Sequence, residues 1–159
     1  MKKFSKKIFY LTVVSVFFSD RLLKFFINIK IPENSSIKIF SFLYITNIRN
    51  KGIVWGFFNK EGAESIIILF SIIAVLLIII FIHKISHALS ELEFISLGLI
   101  AGGILGNLFD RIRYHAVIDY INLRVWPVFN LADCCIVIGV CLYILQAWRK
   151  NGTCTVQNR

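Results

Sequence analysis

Apolar residues fall into four long runs separated by polar segments, and this alternation dominates the sequence. The runs cover about 8–28, 64–82, 94–109 and 130–148. A helix that crosses a bilayer needs roughly 20 mostly apolar residues. The pattern therefore predicts four membrane-spanning helices within one domain that takes in residues 1–159.

The segments between the runs predict a small amount of other structure. Residues 37–45 are rich in β-branched and aromatic side chains, which is typical of a strand. Residues 47–59 combine two glycines with large apolar groups, which favours a short interfacial helix or hairpin lying on the bilayer. Residues 114–125 alternate loosely between apolar and polar and predict a strand or an extended loop.

Composition and charge agree with a membrane protein. The chain of 159 residues is 57% hydrophobic and carries a net charge of +9. Its lysines and arginines lie largely at the ends of apolar runs, which suits membrane flanks and phosphate headgroups better than nucleic acid. We therefore expect membrane lipids as neighbours and no nucleic-acid partner.

The N-terminal segment sets the expected orientation. Lysines followed by the first apolar run resemble a signal peptide. However, no small-x-small cleavage site follows, and the apolar character resumes at Leu22. We therefore expect a retained helix. Concentrated basic residues before a first span usually remain in the cytoplasm. Both termini are expected there, with residues 29–62 and 110–128 as outer loops.

The 4 cysteines form no CxxC pair, and no histidine follows them at metal-ligand spacing. Cys134, Cys135 and Cys141 lie in the last apolar run, where a free cysteine behaves as a small hydrophobic residue. The sequence thus predicts neither a disulfide framework nor a metal site.

Glycines in the third apolar run predict close helix packing. Gly98, Gly102 and Gly106 recur every four residues and so share one helix face. A face of small residues lets another helix approach closely within a membrane.

With this topology, the unusual polar residues all fall at the outer face of the membrane. They are Asp20, Lys24, Asn107, Asp110, Arg111, Asp119, Asn130 and Asp133. Simple structural roles exist for some of them. Asp20 and Lys24 have the spacing of an interfacial ion pair, and Asn130 suits a helix N-cap with Asp133 in the first turn. Their common location nevertheless indicates a site.

The predicted outer face offers several carboxylates but no Ser-His or Cys-His set, which limits the types of catalysis that it could support. Two neighbouring aspartates beside apolar surroundings cannot both ionise easily, so they share a proton. One then acts as base on a water while the other donates to a carbonyl oxygen. Asp119 and Asp133 are the expected pair, with Arg111 and Asn130 orienting the pair or the substrate carbonyl. A metal site would need further ligands.

Two other functions remain open at this point. A small membrane transporter or channel subunit could use intramembrane acids to bind ions or protons. Internal repeats would favour that reading, and the sequence has no convincing internal symmetry. A structural partner protein could pack through the glycine face, but Asp119 and Asp133 would then be unexplained.

The same residues resemble the motifs of signal peptidase II, the lipoprotein signal peptidase, an intramembrane aspartic protease. The similarity covers nearly the whole chain. It is carried, in order, by D-x-x-x-K at Asp20, N-x-G at Asn50, GGILGNLFDR at 102–111, VIDYINL at 117–123 and WPVFNLAD at 126–133. Each motif is weak alone, but five of them in order on four apolar runs are specific.

The resemblance implies a role for each matching residue. Asp119 and Asp133 would be the catalytic pair. Supporting or substrate-facing positions would be Asn107, Arg111, Asn130, Asn50, Asp20 and Lys24. Structural positions would be Asp110, Gly102, Gly103 and Gly106. Arg21 departs from the pattern because the family often has Gln there, and Ile53, Val54 and Trp55 are bulkier than the residues common after N-x-G.

The resemblance also implies a fold and a substrate. The fold is mainly α, with four transmembrane helices, a small extracytoplasmic β-cradle and a short amphipathic interfacial helix. The substrate is a prolipoprotein that carries a diacylglyceryl group on its lipobox cysteine, and cleavage just before that cysteine releases the signal peptide. The family uses no metal or organic cofactor. A monomer in the bacterial cytoplasmic (inner) membrane is expected, with its active site near the outer face.

Overall fold

The computed structural model describes residues 2–52 and 63–156. Helices and strands in this part of the chain follow in the order α1 Lys2–Lys30, β1 Ser36–Lys38, β2 Tyr44–Asn50, α2 Ala63–Ile85, α3 Glu91–Tyr114, β3 Val117–Asn122 and α4 Leu131–Val156. The protein is therefore mainly helical with a small sheet, as the sequence predicts.

Three of these helices are long and apolar enough to cross a membrane. They are α2 over Glu64–Ile85, α3 over Glu91–Tyr114 and α4 over Leu131–Lys150. The first predicted span lies within α1, whose apolar run is interrupted by Asp20, Arg21 and Lys24. Membrane crossing by α1 therefore stays a prediction.

Helix α3 begins earlier and ends later than the span predicted at 94–109. Its start is set by a capping box, in which the Ser90 hydroxyl accepts from the Glu93 N–H and the Glu93 carboxylate accepts from the Ser90 N–H. Its end extends to Tyr114, so Asp110 and Arg111 lie in the last turns of a helix and not in the outer loop at 110–128.

The glycine face of α3 receives α1, as the sequence predicts. A Cβ atom added to Gly98 would lie 2.7 Å from Thr12 Cβ, and one added to Gly102 would lie 2.8 Å from Val16 Cβ. Gly103 faces the other way, towards α4, where an added Cβ would lie 2.5 Å from the Ala132 carbonyl oxygen. Since α3 is approached closely from both sides, its glycines fix the distances among three helices.

The two ends of the helical bundle differ in chemistry. An apolar cluster fills the end where α2 finishes and α3 begins, and consists of Phe9, Ile82, Phe94, Leu97 and Ala101. The opposite end buries polar and charged side chains, among them Asp20, Lys24, Asn107, Asp110, Asp119 and Asn130. Burial of charged side chains is costly in a membrane protein, so the charged groups that are buried commonly form pairs or serve a function.

The single strand predicted at 37–45 is wrong, because the chain reverses within that segment. The N–H groups of Ile39 and Phe40 both donate to the Leu43 carbonyl and close a hairpin between β1 and β2. No glycine or proline marks this turn, so the β-forming residues read as one continuous run. The interfacial segment predicted at 47–59 contributes residues 47–50 to β2, and residues 53–59 lie outside the described part.

The sheet has the antiparallel order β1-β2-β3 and carries Asp119 on its third strand. Strand β3 falls within the extended segment predicted at 114–125. Its register pairs Asp119 with Ile48 and Val117 with Asn50. The sheet therefore places Asp119 beside the end of β2, where the N-x-G motif follows.

Exposed apolar side chains gather at one end of this sheet. Tyr44 pairs with Asn122, so the hairpin turn at 39–43 and the loop after Asn122 lie at the same end. Phe40 and Phe42 stack in the turn, and Trp126 in the loop is 67% exposed. Aromatic residues in this setting are typical of a membrane interface.

Candidate active site

Four elements converge on the polar end of the bundle. Helix α1 supplies Asp20 and Lys24, α3 supplies Asn107, Asp110 and Arg111, β3 supplies Asp119, and the start of α4 supplies Asn130 and Asp133. The structure thus brings together residues that the sequence separates by more than a hundred positions.

Asp119 is buried and held by two amide groups. Its side chain is 3% exposed. Oδ1 accepts from Asn130 Nδ2 at 2.7 Å, and Oδ2 accepts from Asn50 Nδ2 at 2.8 Å. Each carboxylate oxygen therefore has a donor that fixes the orientation of the group.

Asp133 is partly exposed in the first turn of α4 and has two donors of its own. Oδ1 accepts from Asn107 Nδ2 at 2.7 Å, and Oδ2 accepts from the Asn130 N–H at 3.1 Å. Asn130 Oδ1 in turn accepts from the Asp133 N–H at 3.0 Å, which confirms the predicted N-cap. The cap and the carboxylate are therefore parts of one structure.

Two asparagine side chains link Asp119 to Asp133. Asn130 Nδ2 donates both to Asp119 and, at 3.1 Å, to Asn107 Oδ1, while Asn107 Nδ2 donates to Asp133. Both amides turn their nitrogens towards the acids, whose carboxyl oxygens accept these hydrogen bonds. The two carboxyl groups therefore share one hydrogen-bonded network.

The turn after β2 positions the second donor to Asp119. Asn50 Oδ1 accepts from the Gly52 N–H at 2.9 Å, and Gly52 adopts a φ of 85° that favours glycine. This local bond fixes which side of the Asn50 amide faces Asp119. The N-x-G motif thus has a structural reason in this fold.

Four buried or half-buried charged side chains, those of Asp20, Arg21, Lys24 and Asp110, form a cluster next to the two asparagines. The predicted Asp20–Lys24 pair forms at 2.9 Å, but Lys24 is only 1% exposed, so its ammonium does not extend to the surface of the protein. Its ammonium also contacts Asp110 at 2.7 Å and donates to Asn107 Oδ1 at 3.1 Å. The interfacial interpretation of Lys24 is therefore wrong, because the acids that neutralise it lie inside the bundle.

Two residues in this region were missed as contributors by sequence reasoning. Arg21 donates to both Asp20 and Asp110, whereas the family resemblance marks it only as a departure from the usual Gln. The Tyr120 hydroxyl accepts from the Leu131 N–H at 3.1 Å and so holds the start of α4. Burial raises the pKa of Tyr120, which keeps its phenol neutral. No spacing rule could have paired either residue with its partner.

Arg111 contributes charge without a direct bond within the described part of the chain. Its guanidinium is attracted first to Asp133 and then to Asp119, and the side chain is half-buried. Among the described residues it forms no hydrogen bond or salt bridge. A cation near two carboxyl groups with free donors can bind a developing oxyanion or a carbonyl oxygen.

The surroundings of Asp119 favour its protonated form. Burial raises the pKa of Asp119 to about 6, opposed by the hydrogen bond from Asn50 and reinforced by the charge of Asp133. Asp119 therefore keeps its proton up to a pH of about 6. A protonated carboxyl beside an ionised one can supply both an acid and a base.

Each carboxyl group borders an open pocket. Asp133 borders an apolar pocket of about 480 Å³, lined by Leu123, Trp126, Phe129, Cys134, Val137 and Ile138. Asp119 borders a smaller pocket of about 330 Å³, lined by Ile48, Arg49, Asn50, Lys51, Pro127 and Val128.

The described residues contain no group of three His, Cys, Asp or Glu side chains placed to hold a metal ion. Cys134, Cys135 and Cys141 are free thiols. The polar side chains that surround the two carboxyl groups are three amides, those of Asn50, Asn107 and Asn130, together with the guanidinium of Arg111.

Comparisons with known proteins agree on one family. The model of peptidase family A8, described as signal peptidase (SPase) II, matches residues 12–149. A lipoprotein signal peptidase of Halothermothrix orenii is 36% identical over 143 residues, covering 89% of this chain and 96% of that protein. One of Pelagibacter ubique is 37% identical, covering 99% and 100%. A solved structure described as a bacterial membrane enzyme superposes with a TM-score of 0.80 at 28% identity, covering 91% of this chain and 90% of the other.

Proposed function

Since the chain belongs to the signal peptidase II family of aspartic proteases, we propose that it cleaves diacylglyceryl-modified prolipoproteins just before the lipidated cysteine. The observation that carries this proposal is the joint hydrogen bonding of Asp119 and Asp133 by Asn107 and Asn130 beside an apolar pocket. That arrangement unites an acid and a base with space for an acyl chain.

The proposed reaction uses water as the nucleophile. The ionised carboxyl group of the pair removes a proton from water, whose oxygen attacks the peptide carbonyl carbon. The protonated carboxyl group donates to the carbonyl oxygen, and a neutral tetrahedral intermediate forms. The carboxyl group that took the proton from water then gives it to the amide nitrogen, while the other carboxylate removes a proton from one hydroxyl group of the intermediate. The C–N bond breaks, which leaves a free amine on the lipidated cysteine and a carboxyl group on the signal peptide, and both aspartates return to their starting protonation states. The pair titrates as a unit, so the two roles belong to both aspartates together.

The other residues at the site have distinct proposed tasks. Asn107 and Asn130 hold the two carboxyl groups in one orientation by their 2.7 Å bonds. Arg111 is placed to attract the carbonyl oxygen as negative charge develops on it. Asn50 orients Asp119, while Asp20, Lys24 and Asp110 support the network from behind.

The membrane arrangement proposed here has four spans, with α1 as the first. Asp20 and Lys24 neutralise each other inside the bundle, so these charges of α1 need not face lipid. The exposed aromatic residues at the sheet end, including Phe40 and Trp126, would lie at the outer membrane interface. Both termini would be cytoplasmic, and the single domain would act as a monomer without cofactor or nucleic acid.

Purified protein in lipid nanodiscs tests the substrate assignment. We expect it to cut a synthetic prolipopeptide whose cysteine carries a diacylglyceryl group, and to leave the same peptide without lipid uncut. Mass spectrometry of the product should give a lipopeptide that begins with the modified cysteine. Cleavage elsewhere, or equal cleavage of the unlipidated peptide, would contradict the proposal.

The transporter or channel alternative predicts a different result. In sealed vesicles it requires a flux of protons or ions that depends on the protein, together with no peptide cleavage. Of the buried acids in the described part of the chain, Asp20, Asp110 and Asp119 lie at one end of the bundle, and Glu93 lies at the other end, where Ser90 and Lys150 bind it. This separation argues against a continuous path of acids across the membrane.

The raised pKa of Asp119 predicts a pH limit for the free enzyme. Above a pH of about 6 Asp119 loses its proton and can no longer act as the proton donor. We expect kcat/KM to fall about tenfold per pH unit above that point, since kcat/KM follows ionisations of the free enzyme. Initial rates of lipopeptide cleavage between pH 5 and 8 measure this descending limb of the pH–rate profile. A flat profile over that range would contradict the prediction.

Removal of Asn50 should move the same limb. Asn50→Ala deletes a hydrogen bond that favours ionised Asp119, so the pKa of Asp119 rises further and the limb shifts to higher pH. Asn122→Ala, at the end of β3, is the matched control and should leave the limb in place.

A further inference from the structure

Two buried carboxylates hold the backbone directly before each proposed catalytic aspartate. Asp20 Oδ1 accepts from the N–H of Ala132, which precedes Asp133, at 3.3 Å. Asp110 Oδ2 accepts from the N–H of Ile118, which precedes Asp119, at 3.2 Å. The positions of Asp20 and Asp110 are therefore transmitted by one hydrogen bond each to the two chain segments that carry the pair.

Arg21 connects these two carboxylates through its planar guanidinium. One terminal nitrogen donates to Asp110 Oδ1 at 2.5 Å, and the other donates to Asp20 Oδ2 at 2.7 Å. The second nitrogen also donates to the Gly106 carbonyl at 3.1 Å, and the group lies 4.8 Å above the ring of Phe109. These contacts fix the guanidinium in position and direction.

We propose that Arg21 is a positioning residue, which sets the spacing of Asp119 and Asp133 by bridging Asp110 and Asp20. The proposal rests on the proposed function, because it assumes that those two aspartates perform the chemistry. Arg21 touches neither of them and acts through the carboxylates that hold their backbones.

Lys24 cannot replace this bridge, although it contacts the same two acids. An ammonium is a compact point charge, whereas a guanidinium is a rigid fork that fixes the separation of two acceptors. Lys24 also donates to Asn107. With Arg21 present, two cations balance two anions, and without it the cluster keeps one uncompensated negative charge behind the pair.

Arg21→Gln removes both the fork and its charge. We expect kcat to fall about tenfold to a hundredfold with KM little changed, since a displacement near 1 Å at a reacting group costs about that much. The extra negative charge should also shift the descending limb of the pH–rate profile to higher pH. The other charged or titratable groups around the pair all stay in place, namely Asp20 and Lys24 from α1, Asp110 and Arg111 from α3, Arg49 and Lys51 beside Asp119, and Cys134 beside Asp133.

Arg21→Lys separates spacing from charge. It keeps the cation but loses the fork, so we expect the pH–rate profile of the wild-type protein together with a reduced kcat. Arg113→Gln is the matched control, because it removes the same charge from an exposed position near the end of α3. It should alter neither kcat nor the profile.

The inference would be overturned if folded Arg21→Gln and Arg21→Lys proteins kept the wild-type kcat and pH profile and lost only thermal stability. A change in KM alone would overturn it as well. If Arg21→Gln does not fold, Arg21→Lys decides the matter by its kcat. Should Asp119→Asn and Asp133→Asn abolish cleavage while both Arg21 variants behave normally, the proposed function stands and only this inference fails.

Discussion

Asp119→Asn and Asp133→Asn are each expected to lower kcat for lipopeptide cleavage by about a thousandfold or more. Asparagine keeps the shape of the side chain but can neither accept the proton of water nor share one with its neighbour. The carboxyl groups are joined through Asn107 and Asn130, so either substitution removes the function of the pair. Single-turnover cleavage in nanodiscs measures the loss.

The double variant should be little worse than either single one, because groups that act as a unit lose their effect together. Glu91→Gln is a suitable control, since it removes a carboxylate from an exposed site at the start of α3. Insertion and thermal unfolding of each variant must match the wild-type protein. Normal cleavage by a folded Asp119 or Asp133 variant would remove that residue from the mechanism.

Gly103→Ala is expected to reduce both stability and activity. The added Cβ would lie 2.5 Å from the Ala132 carbonyl oxygen and 2.7 Å from Ile136 Cγ1, so α4 must move away from α3. Overpacking of this kind costs about 1–3 kcal/mol, and the better helix propensity of alanine offsets only part of that. The displaced turn carries Asp133, so we expect kcat to fall about tenfold or more.

Gly139→Ala is the matched control for this effect. Its added Cβ would meet the Ser96 carbonyl oxygen at 2.6 Å, again between α3 and α4 but further along the helix from Asp133. Thermal unfolding in detergent should show a loss of stability for both variants. Only Gly103→Ala should lower kcat in the folded fraction, and equal kcat values for the two variants would contradict this account.

Local spacing along the chain was enough to predict much of the fold. Three apolar runs coincide with α2, α3 and α4 because helix length and lipid thickness are linked. The glycine face of α3 and the cap formed by Asn130 and Asp133 were predicted because a helix brings residues three or four apart together. In the same way, Asp20 and Lys24 were recognised as an ion pair.

Contacts between segments that are distant in the sequence could not be predicted from local spacing. The reversal at 39–43 depends on pairing between β1 and β2, and the sequence there contains only strand-forming residues. The burial of Lys24 depends on Asp110, which is remote in sequence. The hydrogen bond between Arg21 and Asp110 likewise forms only when α1 packs against α3.

The sequence by itself determined the number and order of apolar segments, the end of the molecule at which polar residues gather, and the motifs that identify the family. These follow from periodicity and from residue types, which need no knowledge of neighbours. Only the tertiary structure decided that Asn107 and Asn130 join Asp119 to Asp133, and that Asp20 and Asp110 hold the backbone beside them. Hydrogen bonds depend on distances and directions between groups, and these exist only after the helices and the sheet have packed together.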